Sequence, residues 1–340
     1  MIKTLFVEKE YEKNSRAKQL IEGLPHSKLM IIDDYSKYFG RVKKPYLQKR
    51  DSLNAYIAKK KGTLIKEAPE AYGLSGEPHF YFIHAFNCIY ECQYCYLQGH
   101  FHSPDLVFFI NHEDIIDEMQ REVDSRKNDI DQNSSIWFHA GEFSDSLALS
   151  HITGELPVYH DFFKNNPRAK LELRTKSTNI RELLKLSPSE NIITSFSLSP
   201  QKRSIITDLK TPPTKHRIIA MKKLFDHGHK VAIHLDPVVY QDNFDTTYQE
   251  LIDDIDNAIP LNQIEYISVG VVRFTKNVYH QVLKNYPQSD IHAAEMKTSF
   301  DGKVRYPRPM RLWMLQKIKQ ILCSKNIPSH KIYLCMEDEA

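Results

Sequence analysis

The chain has 340 residues, 46 Lys and Arg against 43 Asp and Glu, a formal net charge of +3 and 41% hydrophobic residues. That length can bury a sizeable core in one large domain or two modest ones, and the near-balanced charge excludes a protein that is basic over its whole surface, so any basic patch must be local. No run of about 18 apolar residues occurs, and the N-terminus, MIKTLFVEKEYEK, is charged where a signal peptide is apolar, which predicts a cytoplasmic protein with no membrane partner.

In chain order, Thr4 to Val7, a charged segment and Lys28 to Ile32 read as strand, helix, strand. Lys43 to Lys66 is rich in Lys and Arg with Tyr46 and Tyr56 interleaved; a solvated helix face is the plain expectation and phosphate contact the alternative. From Phe80 onward short apolar runs alternate with charged, helix-like stretches. The runs are Phe80 to Phe86, Ser135 to Ala140, Leu171 to Arg174, Ile192 to Leu198, Val231 to Leu235 and Ile264 to Val272. Between them lie Glu113 to Arg126, Asn179 to Leu186, Lys215 to His227 and Thr247 to Ala258.

Six strands separated by helices predict parallel βαβ units, and an eight-fold barrel would need two more than can be counted. The expected fold is therefore α/β, a partial (β/α)6 barrel over 79–275. A strand-helix-strand extension over 1–78 precedes it. A C-terminal extension over 276–340, with an apolar helix from Leu312 to Leu322 and a last strand from Lys331 to Cys335, closes the barrel.

Five cysteines decide more than the composition does. Cys88, Cys92 and Cys95 fall within eight positions, whereas Cys323 and Cys335 stand near the C-terminus. This is no disulfide framework and points to a metal in a reducing compartment. A structural zinc site wants four ligands, so zinc would have to recruit His84 or His100. An iron-sulfur cubane held by three thiolates instead leaves one iron open for a substrate or cofactor.

The spacing, with an aromatic residue just before the third cysteine, resembles the signature of the radical S-adenosylmethionine (SAM) superfamily. That resemblance implies one four-iron four-sulfur cluster on Cys88, Cys92 and Cys95, with SAM on the open iron. It also implies reductive cleavage of SAM to a 5'-deoxyadenosyl radical and a reducing partner of flavodoxin or ferredoxin type.

Gly141-Glu142, ending the second predicted strand, is similar to the Gly-Gly-Glu motif that holds the ammonium of SAM in many of these enzymes; an ordinary strand-end turn is the bland reading. Lys176 after the third strand suits the methionine carboxylate and Ser197 in the fourth suits the ribose, against a surface lysine and a strand serine.

Cys92-Gln93-Tyr94-Cys95-Tyr96-Leu97-Gln98 further resembles the corresponding run of spore photoproduct lyase, as do Arg273-Phe274-Thr275-Lys276, Lys284-Asn285-Tyr286-Pro287, Lys176, Ser197 and Asp236-Pro237. That family repairs a methylene-bridged thymine dimer, so DNA is the partner it implies. It also implies substrate-facing roles for Tyr94, Tyr96 and the basic segment around Arg273 and Lys276, which are otherwise plain surface charges. One departure stands out: the family carries a hydrogen-donating cysteine just after the second barrel strand, where this chain has Gly141-Glu142-Phe143-Ser144-Asp145. The spare thiols are Cys323, expected in the core of its helix, and Cys335, which ends a predicted strand: a buried free cysteine on the plain reading, and the candidate donor facing the cavity if that strand adds to the barrel. Radical chemistry on a small molecule or peptide, and a non-catalytic iron-sulfur or zinc protein that binds nucleic acid, are the competing functions.

Overall fold

The computed structural model describes residues 2–41, 52–69, 76–126, 134–292 and 295–337. Of the run Lys43 to Lys66, residues 43–51, Tyr46 among them, lie outside the described residues; the rest is not the expected solvated helix face but holds two strands, with Tyr56 buried at Leu53–Ala58 and Lys66 in Ile65–Glu67, because its apolar residues pair into sheets. The first sheet collects β1 (Ile2–Glu8), β2 (His26–Ile32) and β3 (Leu53–Ala58), with α1 (Ser15–Gly23) linking the first two. The second begins at β4 (Ile65–Glu67), which runs antiparallel to β5 (His79–Phe82). The predicted run Phe80 to Phe86 is broken: after β5 the chain leaves the second sheet, and β6 (Ala85–Phe86) pairs in the first. Next come β7 (Glu91–Cys92), α2 (Leu97–His100), β8 (Leu106–Phe109), which joins the first sheet, and α3 (His112–Ser125).

The second sheet then continues through β9 (Ile136–His139), α4 (Ser150–Thr153), α5 (Leu156–Asn165), β10 (Ala169–Thr175) and β11 (Ile192–Ser197). It proceeds through α6 (Gln201–Thr207), β12 (Asp208–Leu209), α7 (Thr214–Asp226), β13 (Lys230–Val238), α8 (Phe244–Ala258) and β14 (Ile267–Val271). After β15 (Arg273–Phe274) come α9 (Lys276–Asn285), β16 (Lys297–Thr298), β17 (Val304–Arg305), α10 (Arg308–Ser324) and β18 (Ile332–Leu334). Strand order in the large sheet is β18-β14-β13-β11-β10-β9-β5-β4. Every neighbouring pair is parallel except the one formed by β4. This is the predicted partial radical SAM barrel of six parallel strands, extended at one edge by the C-terminal strand.

Local sequence explains these elements. In α3 the buried residues Ile115, Met119 and Val123 recur every four positions, and in α8 Phe244, Tyr248, Leu251, Ile252 and Ile255 form one apolar stripe. Strand β11 is buried along its whole length, as a strand covered on both faces must be. Asn179 to Leu186, predicted helical, holds only a single 3-10 turn at Leu183–Lys185; the helical cover between β9 and β10 is α5, opened by Pro157 in its first turn. The polar stretch after Val272 contains the unpredicted helix α9, which packs on α2 so closely that a Cβ at Gly99 would lie 2.6 Å from the Val278 Cα.

Candidate active site

Parallel strands send their carboxyl ends to one rim, and that is where an α/β fold places its chemistry. Here the rim bounds a cavity of about 360 Å³. Cys88, Cys92 and Cys95 enter it from the loop after β5, Gly141 and Glu142 from the loop after β9, Lys176 from the end of β10 and Ser197 from β11. Tyr94, Tyr96, Asp236, Arg273 and Met336 complete the wall. Every cofactor and metal residue predicted from the sequence therefore lines one cavity.

The cysteine loop is braced from outside the barrel. β7 pairs antiparallel with β12, matching Cys92 with Asp208. The fully buried Asp208 carboxylate ion-pairs with Arg217 Nη1 at 2.9 Å and accepts the Tyr94 hydroxyl proton. Burial pushes all three thiols upward, Cys92 to about 12 against the opposing pull of Lys176. Among the described residues no set of three His, Cys, Asp or Glu side chains closes on a single ion. His84 turns its Nε2 to the Ala140 carbonyl at 3.1 Å, with Glu155 behind it. Three thiols on one loop facing one cavity fit a cubane better than a zinc ion, because each thiolate then takes its own iron.

Gly141 is required by close approach: a Cβ there would lie 2.7 Å from the Arg174 Cβ and 3.0 Å from the Arg174 carbonyl. Burial raises the Glu142 carboxyl above its ordinary value, opposed by Arg174, and the Glu142 backbone carbonyl accepts the Tyr96 hydroxyl. Lys176 extends over the Tyr94 ring, 5.4 Å from its centroid, with no ion-pair partner among the described residues. Ser197 is buried, and its carbonyl accepts from Arg217 Nη1 at 3.0 Å.

Sequence reasoning missed Asp145, Arg174 and Glu172. Asp145 ties the β9 loop to the end of β10, accepting from Leu147 N, Ala148 N, Thr175 Oγ1 and Lys176 N at 2.7–3.0 Å. Glu172, wholly buried inside the barrel, accepts from Ser195 Oγ at 2.6 Å, Tyr266 OH at 2.7 Å, His234 Nε2 at 2.7 Å, Arg174 Nη2 at 3.1 Å and His139 Nδ1. It thereby tethers Arg174 beneath the cavity.

The remaining predicted residues divide. Arg273 lines the cavity and pairs with Asp236 at 3.1 Å; burial alone would raise the Asp236 carboxyl, but the guanidinium holds it below its ordinary value. Lys276 is exposed at the start of α9, and the Cys323 thiol, expected in the core, is exposed on α10. Cys335 follows β18 and is buried, packed with Tyr81, its Sγ 3.2 Å from Arg273 Nη2; its neighbour Met336, rather than Cys335 itself, lines the cavity that the thiol was expected to face.

A family model described as spore photoproduct lyase matches residues 75–322. The chain belongs to the spore photoproduct lyase family. This is the radical SAM branch that the cysteine loop resembles. Spore photoproduct lyase of Bacillus subtilis is 26% identical over 221 residues, covering 64% of this chain and 63% of that protein. That of Clostridium acetobutylicum is 23% identical over 205 residues, covering 60% and 59%. The match thus spans less than two thirds of these relatives' own lengths. A solved cysteine-to-alanine mutant of spore photoproduct lyase with dinucleoside spore photoproduct superposes over 98% of both chains, with a TM-score of 0.82 at 18% identity. Another solved mutant, with bound AdoMet as well, superposes over 99% of both at a TM-score of 0.79 and 17% identity. The spore photoproduct lyase fold is thus present almost end to end, including the N-terminal sheet and the C-terminal strand.

Proposed function

We propose that this spore photoproduct lyase family member is a radical SAM enzyme acting on a pyrimidine lesion in DNA. The observation that carries the reading is the convergence of Cys88, Cys92 and Cys95 with Gly141, Glu142, Lys176 and Ser197 around one cavity. A bound cluster would supply the electron that cleaves SAM to methionine and a 5'-deoxyadenosyl radical, which abstracts hydrogen from the substrate. The chain's own residues do the rest. Lys176 meets the methionine carboxylate, Glu142 meets the ammonium, and Ser197 meets the ribose. Tyr94 and Tyr96 are fixed by Asp208 and the Glu142 carbonyl, so their rings wall the cavity in one orientation and keep competing quenchers out.

Cys335 is the proposed hydrogen-atom donor; its support is that it touches Tyr81 and Arg273, two residues that line the cavity. Relatives solved with dinucleoside spore photoproduct support a DNA lesion as substrate. The same radical chemistry on a small molecule or peptide is the second reading, favoured by the absence of a thiol between Gly141 and Asp145.

The deciding experiment is anaerobic reconstitution with iron and sulfide, then dithionite and SAM. Release of 5'-deoxyadenosine is expected, together with repair of ultraviolet-irradiated spore-type DNA. Release without repair would leave the second reading standing; no release from protein carrying an intact cluster would sink both.

A further inference from the structure

The exposed face of α6 and α7 is not used by the site just described. Ile205 is 66% exposed, Ile206 48% and Ile219 50%. Residues 202, 205 and 206 share one face of α6, and 215, 219, 222 and 223 share one face of α7. The two helices abut: Lys215 N donates to Gln201 Oε1 at 3.2 Å, and Arg217 Nη2 to Ser204 Oγ at 3.2 Å. Around the isoleucines lie five exposed lysines: Lys210 pairs with Glu91 at 2.6 Å and Lys222 with Asp226 at 2.9 Å, while Lys202, Lys215 and Lys223 have no ion-pair partner among the described residues. Asp208 is the only acidic residue between Gln201 and Phe225, and it is buried against Arg217. The three unpaired lysines thus leave a local positive charge around an apolar centre in a protein of nearly balanced charge.

This face is wired to the cysteine loop. The Ile206 carbonyl accepts from Gln93 Nε2 at 2.9 Å, and the Thr207 carbonyl from Gln93 N at 2.8 Å. Gln93 is covalently next to Cys92, so one hydrogen bond and a few covalent bonds separate the buried Thr207 carbonyl at the end of α6 from a cluster ligand, with the Ile206 carbonyl tied to the same residue through its side chain. Electron transfer weakens steeply with distance and with each gap between bonded atoms.

Resting on the radical SAM reading above, we infer that the α6–α7 face is the docking surface for an acidic, low-potential one-electron carrier protein that reduces the cluster. The step moves one electron: the carrier is oxidised by one, the cluster is reduced by one, and no bond forms or breaks. Lysines steer an acidic partner at long range, while the isoleucines supply the small apolar centre on which a transient redox pair rests, in an interface below about 1,200 Å². A nucleic acid would use the lysines but not the isoleucines, because such interfaces are more polar than those between proteins.

The test uses the reconstituted full-length protein with reduced flavodoxin as the probe. Calorimetry should give binding that weakens with salt, and stopped-flow bleaching of the cluster should follow flavodoxin concentration. In the double variant Lys202→Glu/Lys215→Glu, and separately in Ile205→Ser, flavodoxin affinity and flavodoxin-driven reduction should each fall at least tenfold. Reduction by dithionite, release of 5'-deoxyadenosine with dithionite, and DNA affinity should not change. Flavodoxin kinetics and affinity equal to wild type in both variants would overturn the assignment. So would a loss of DNA affinity with carrier reduction intact, which would give the face to nucleic acid. If the wild-type protein with an intact cluster releases no 5'-deoxyadenosine with dithionite, the radical SAM reading itself falls, and the docking surface with it.

Discussion

Glu172→Gln isolates the polar centre of the barrel. An ionised carboxylate only accepts, so its two oxygens satisfy five groups: Ser195, His234 and Tyr266 on Oε1, Arg174 and His139 on Oε2. Glutamine keeps one acceptor oxygen and turns the other position into an NH2 donor, which faces at least two donors in either orientation. It also removes the negative charge opposite Arg174. Removing one partner of a buried ion pair costs about 3–5 kcal/mol, a large share of the roughly 5–15 kcal/mol that holds a domain folded. With a urea slope of about 3 kcal/mol/M the unfolding midpoint should drop by about 1–1.7 M.

The pH dependence of that gap is a second readout. Burial would raise the Glu172 carboxyl, but Arg174, His139 and His234 reverse this and hold it well below its ordinary value of 4.5. A depressed carboxyl stabilises the fold fully above its unfolded pKa and loses that contribution as pH falls toward the folded one. The difference between wild type and variant should therefore be constant near neutrality. Below pH 4.5 it should shrink by about 1.4 kcal/mol per pH unit. A midpoint shift below about 0.3 M, or a gap equally wide at about pH 3.5 and pH 7, would refute the reasoning from linkage and pairing.

Three further outcomes follow from the cavity wall. Gly141→Ala places a methyl 2.7 Å from the Arg174 Cβ and should cost about 1–3 kcal/mol in urea unfolding, with SAM affinity measured by calorimetry falling as the loop shifts. Lys176→Met keeps the aliphatic stem over Tyr94 and removes the cation; the loss of a charge-assisted hydrogen bond worth about 1.5–3 kcal/mol should weaken SAM binding by roughly 10- to 150-fold, and unchanged affinity would remove Lys176 from the site. Cys335→Ala should leave cluster content and 5'-deoxyadenosine release intact while product formation on irradiated DNA fails; product and turnover equal to wild type would dismiss the donor role.

The cysteine loop was legible in the sequence because its chemistry is local: three thiols within one turn of chain need no distant residue to be recognised. The barrel strands were legible because each is a short apolar run between turn residues. Helix α9 was not, since its face is covered by α2 in a contact that requires Gly99, and nothing between Lys276 and Asn285 announces that neighbour. Asp145 was equally silent, because its four donors come from two separate loops.

Strand β10 hides the most. Lys170, Glu172 and Arg174 alternate with Leu171 and Leu173, the pattern of a strand with one wet face. In a barrel both faces are covered, and here the apolar residues pack in the main hydrophobic core while Glu172 points into the closed interior with Arg174 beside it. Alternation reports that two faces differ, not that the polar one meets water. Burial governs the C-terminus in the same way: β18 was legible as a last strand, and its parallel pairing with β14 brings Met336 to the cavity lining while Cys335, one residue earlier, is buried against Tyr81.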